Sequence, residues 1–138
     1  LAYPLPPTVA VQWISHEDAG AFAAAAFDHL PTGRHLVEIS GPEVLTGPEA
    51  AASFTRGLGR PVTYRAMPPA EFGRIIDRAF GGGGAGATAF YAAVAADPDL
   101  VETHIDHAGL LARLPIQPTT MEAFANRHAA DFGHGDRP

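Results

Sequence analysis

Several groups of residues in this sequence have types and spacings that could do chemistry. His16, Glu17 and Asp18 stand side by side, an imidazole and two carboxylates of the kind that move protons as general acids and bases. His104, Asp106 and His107 bring two imidazoles and a carboxylate into one short stretch, and such donors suit zinc. Gly81-x-Gly83-x-x-Gly86 formally fits the dinucleotide fingerprint, with Asp99 near the distance of its ribose acid. His128 falls on the apolar side of the last amphipathic stretch, where a buried imidazole is either a satisfied core residue or a general base.

Each group depends on the element that carries it. The dinucleotide fingerprint needs a buried strand before it, so that the turn delivers pyrophosphate to a helix N-terminus. What precedes Gly81 is helical instead: Phe72, Ile75, Ile76, Ala79 and Phe80 fall at i, i+3, i+4, i+7 and i+8. No nucleotide site is expected there, and the glycines read as a mobile lid beside an apolar pocket. The His104 group resembles the second part of a dinuclear hydrolase motif, but Glu102 stands where that motif's first His would be. No metal site is expected, and His104 stays a candidate acid or base. Ser15 reads as an N-cap with Asp18 at the third helical position. Capping accounts for Glu17 and Asp18 and leaves His16 free for a pocket. Most aromatic and Met side chains should be core. Trp13, Met67, Phe72, Phe80, Phe90 and Tyr91 are the candidates for walls around a flat apolar ligand.

The supporting elements follow from periodicity and punctuation. Residues 9–14 alternate as a strand, and Ala19, Phe22, Ala23, Ala26, Phe27 and Leu30 make a helix stripe. Residues 35–40 read as a second strand, stopped by Gly41-Pro42. Thr46 and Glu49 then form a capping box with Pro48 in the first turn. Ala50, Ala51, Phe54 and Leu58 follow as an apolar stripe, and Gly57 or Gly59 closes that helix. Pro61 opens a third strand, 62–66, expected to pair in parallel with 9–14. Helices are expected over 87–96, in part over 100–114, and after a second capping box at Thr119 and Glu122. Met121, Phe124, Ala125, His128 and Phe132 form the apolar face of this last helix.

Five segments, in this order, carry a family resemblance: Trp13-Ile14-Ser15-His16-Glu17-Asp18-Ala19-Gly20, Ser40-Gly41-Pro42-Glu43-Val44-Leu45-Thr46, Leu58-Gly59-Arg60-Pro61-Val62-Thr63-Tyr64, Pro68-Pro69-Ala70-Glu71-Phe72, and Pro118-Thr119-Thr120-Met121-Glu122-Ala123-Phe124. Together they resemble the C-terminal, substrate-binding half of the NmrA-like proteins, the atypical short-chain dehydrogenase/reductases. The resemblance implies NAD(P)H for a full-length member, bound by a Rossmann half absent from these residues, and none bound by this chain alone. It implies a pocket for a quinone, azo or similar conjugated compound, used in reduction or in redox sensing. The dehydrogenase pair Tyr-x-x-x-Lys cannot occur, because all nine basic residues are Arg.

The expectation is a single α/β domain over residues 1–138, helix-dominant, with about five helices and three short strands and lacking the Rossmann half. A chain of this length buries roughly two-thirds of its extended surface. A net charge of −6 argues against nucleic acid. The absence of Cys rules out disulfide and thiolate chemistry. No leader or membrane span is evident, so a cytoplasmic protein is the default. The extended opening reads as though something preceded it. A bare strand at 35–40 would be a pairing edge, predicting a homodimer or cover by the missing half. The other functional class is a cofactor-independent cyclase or isomerase acting on a polyketide-like substrate, with His16, Asp18, His104 or His128 as acid and base.

Overall fold

In a computed structural model of the chain, residues 1–101 and 105–132 are described. His104 lies outside them. The described residues form an α/β domain rich in helix, with two small separate sheets. Strands β1 (Ala2–Tyr3) and β2 (Ala10–Trp13) lead into helix α1 (His16–His29). Strand β3 (Glu43–Thr46), helix α2 (Gly47–Leu58) and strand β4 (Arg65–Ala66) follow. Helices α3 (Pro69–Phe80), α4 (Gly84–Ala96), α5 (His107–Arg113) and α6 (Met121–Arg127) complete the order, with a 3-10 turn at Pro98–Val101.

The local signals hold. The Ser15 hydroxyl accepts the Asp18 N–H at 2.9 Å. Both halves of the Thr46–Glu49 capping box are present, and Gly59 takes the left-handed conformation that ends α2.

The strand pairings differ from expectation. β2 pairs antiparallel with β3, from Ala10 opposite Thr46 to Trp13 opposite Glu43. β4 instead lies parallel to β1, Ala2 beside Arg65 and Tyr3 beside Ala66. Residues 35–40 form no strand. Gly41 there passes so close to the Trp13 backbone that a Cβ would lie 2.7 Å from the Trp13 carbonyl carbon. The residues that pair with β2 are therefore those after Pro42. Leu36 is 94% exposed, while Val37 packs against the core formed by Phe22, Ala25, Leu110 and Leu114. With no ladder at 35–40, the edge on which the homodimer expectation stood is absent.

A second core joins Leu5, Val9 and Val94, with Tyr3, Val11, Trp13 and Tyr91 packed against it. Elsewhere small residues make the contacts. Helices α3 and α4 meet at Gly73 and Gly84, both buried. Gly57 of α2 lies against Ala125 of α6. Phe27 and Phe80, expected in buried stripes, are 91% and 79% exposed. The glycine loop is shorter than expected: Gly81 ends α3 in the left-handed conformation, and Gly84 and Gly86 already belong to α4.

Candidate functional site

The end of β2, the start of α1, the start of β3, α2 and the entry to α6 converge on a cleft of about 230 Å³. Trp13, Phe54, Met121 and Phe124 supply its apolar walls, and His16, Glu43, Ser15 and Thr119 its polar groups. Strand β2 ends where Ser15 caps α1, which places His16 in the first turn, at the opening. The His16 ring meets Phe124 edge to face, with centroids 6.2 Å apart.

Asp18, read from sequence as a capping partner, is 4% exposed and does something else. Its Oδ2 accepts the Thr119 N–H at 2.8 Å and its Oδ1 accepts the Thr119 hydroxyl at 3.1 Å. This engagement moves the last cap one residue on, because Thr120, rather than Thr119, accepts the Ala123 N–H. Glu122, expected to complete that box, pairs with Arg56 at 2.6 Å. Glu43 holds the same segment from the other side, its Oε2 accepting the Met121 N–H at 2.7 Å. Sequence reasoning passed over Glu43, which lies one residue after Gly41-Pro42 and shows its role only through a partner 78 residues away.

The remaining candidates lie apart from this cleft. His128 packs on Phe124 with ring centroids 4.6 Å apart. Its Nε2 is 3.0 Å from Glu17 Oε1, at an angle too oblique for a hydrogen bond, and its Nδ1 is 3.3 Å from Asp131. Trp13 also borders a second opening, with Tyr3, Phe90 and Tyr91. The Tyr3 and Tyr91 hydroxyls share a 2.7 Å hydrogen bond. Burial and that bond together push the Tyr91 hydroxyl pKa well above its usual value. Phe72 packs edge-on behind Tyr91, and Met67 is buried. Phe80 lines neither opening.

The glycine segment does not fit a dinucleotide. A helix precedes it, and the Gly84 N–H donates to Asp77 Oδ1 at 2.8 Å. A carboxylate thus occupies the helix start where pyrophosphate would need to sit. Among the described residues, no three His, Asp or Glu side chains form a metal-ligating group. No described helix is long and apolar enough to cross a membrane.

The model of the NmrA-like family matches residues 1–125. The chain belongs to the NmrA-like family. Two solved structures share the fold of this NmrA-like chain. One is a nucleoside-diphosphate-sugar epimerase from Staphylococcus aureus, 21% identical, with a TM-score of 0.68, covering 91% of this chain and 43% of that one. The other is an NADPH-dependent quinone oxidoreductase from Escherichia coli, 17% identical, with a TM-score of 0.62, covering 91% and 46%. The chain thus spans less than half the length of either. No curated protein matches it.

Proposed function

We propose that this NmrA-like chain is the small-molecule-recognising half of an NAD(P)H-linked oxidoreductase or redox sensor. Its ligand is a small conjugated compound, a quinone or the reduced form of one, held in the Trp13–Phe124 cleft. The lining of that cleft supports this reading: aromatic and thioether walls, a Glu carboxylate, and no Arg. A nucleoside-diphosphate sugar would bring phosphates that call for Arg or Lys, whereas Glu43 would repel them. The volume is below the roughly 300–1,000 Å³ of drug-sized sites and suits one or two fused rings. The nucleotide would be bound by residues outside this chain, and the exposed segment around Leu36 is the surface we assign to that half.

The cyclase or isomerase reading has no comparable support. Asp18 is engaged by Thr119, and His128 lies against Glu17 and Asp131. Of the acid–base candidates among the described residues, that leaves His16 alone on the cleft.

Trp13 is the only Trp in the chain and lines the cleft, so its fluorescence reports occupancy directly. Titration with 1,4-naphthoquinone is expected to quench it saturably, and Phe124→Ala to weaken binding roughly tenfold. Quenching that stays linear in ligand concentration and is unchanged in the variant would overturn the proposal.

A further inference from the structure

We infer that the cleft selects the hydroxyl-bearing, reduced form of its aromatic ligand, a phenol or hydroquinone, over the quinone, and that Glu43 makes the selection. The inference rests on the cleft being a conjugated-ligand site. Its basis is the set of donors and acceptors left over once the fold has used its own.

The donors on the cleft walls are nearly all committed. Trp13 Nε1–H donates to the Leu45 carbonyl at 2.8 Å. The Thr119 N–H and hydroxyl both go to Asp18, and the Met121 N–H goes to Glu43. The Ser15 oxygen already accepts from the Asp18 N–H. Among the side chains that line the cleft, the His16 ring, the Ser15 hydroxyl proton and the unused acceptor capacity of Glu43 remain for a ligand.

That capacity is large. A carboxylate can accept about four hydrogen bonds, and Glu43 takes one from the described residues, with no Arg or His paired to it there. A quinone carbonyl is itself only an acceptor. Set beside Glu43 it strips water from the carboxylate and returns nothing. A hydroxyl in the same place donates a charge-assisted hydrogen bond. The Met121 N–H holds the carboxylate in position before any ligand arrives, so little ordering is left to offset that gain.

The test is calorimetric titration of the 138-residue chain with 2-naphthol, 2-methoxynaphthalene and 1,4-naphthoquinone, on the wild type and on Glu43→Gln. In the wild type, 2-naphthol is expected to bind about tenfold or more tighter than the other two. In Glu43→Gln, whose amide can still accept from Met121 and now carries donors, the preference should vanish or invert. Equal wild-type affinities for naphthol and its methyl ether, or a preference that survives Glu43→Gln, would overturn selection by Glu43 and leave the conjugated-ligand reading standing. No binding of any of the three to the wild type would overturn both. The wild-type comparison stands without the variant.

Discussion

Glu49 makes the acid sensitivity of one helix start a single-residue matter. Its Oε2 accepts both the backbone N–H and the hydroxyl of Thr46 at 2.8 Å, and these bonds hold its carboxyl below the ordinary value of 4.5. The folded pKa is depressed. The stabilisation is therefore complete above the unfolded value and is lost as pH falls through the lower folded one. Glu49→Gln keeps a group that can reach back to Thr46 but does not titrate. The melting temperature of that variant, followed by circular dichroism from about pH 6 to about pH 3, is expected to fall less on acidification than that of the wild type. Parallel profiles would show that the capping box does not contribute to acid unfolding.

At the scale of elements, helix packing depends on where a side chain is missing. A Cβ on Gly84 would run into the Gly73 carbonyl oxygen and the Asp77 carboxylate, whereas one on Gly86, in the same helix, would meet nothing within 4 Å. Gly84→Ala should therefore destabilise the chain by about 2–3 kcal/mol through forced separation of α3 and α4. Gly86→Ala should stabilise it by roughly 0.5–1 kcal/mol, because alanine loses less backbone entropy in a helix. Chemical denaturation of the pair measures the difference, and two changes of the same sign would contradict this packing. The sequence showed α3 as an amphipathic helix, and it is one. Its apolar stripe, however, misled, because Ile75 and Phe80 stay exposed while the contact with α4 runs through Gly73. Periodicity marks an apolar face but carries no information about how closely another helix approaches it.

For the whole molecule, Asp18 matters most among the buried polar groups, since it ties α1 to the entry of α6 across 101 residues. Asp18→Ala would leave the Thr119 N–H without its acceptor and free the segment that carries Met121. It is expected to cost about 3 kcal/mol and to weaken ligand binding in the cleft as well. Asp18→Asn, which retains one acceptor oxygen, should lose less on both counts. Thermal melts together with naphthol titration of the two variants check this. Full stability in Asp18→Ala would mean that the bond carries no net energy.

Sequence alone determined what neighbours in the chain decide. Ser15 and Thr46 with Glu49 mark helix starts through groups at most three residues apart, and both were legible, while the end of α2 was narrowed to Gly57 or Gly59 and the structure places it at Gly59. The α/β class followed from the order of such signals, and the family from the resemblance of five segments in order. His16 was a pocket candidate because capping accounts for its neighbours and not for it, and Trp13 because an aromatic side chain can wall a flat ligand. Tertiary structure decided the pairing of β2 with β3, the exposure of Leu36 and the recruitment of Glu43 and Asp18 to the α6 entry. A strand's alternation says which faces it has but not which strand lies beside it, and a carboxylate in a helix's first turn serves a cap or a distant N–H equally well. Those choices turn on contacts between residues some thirty to one hundred positions apart, which only the packed chain brings within hydrogen-bonding reach.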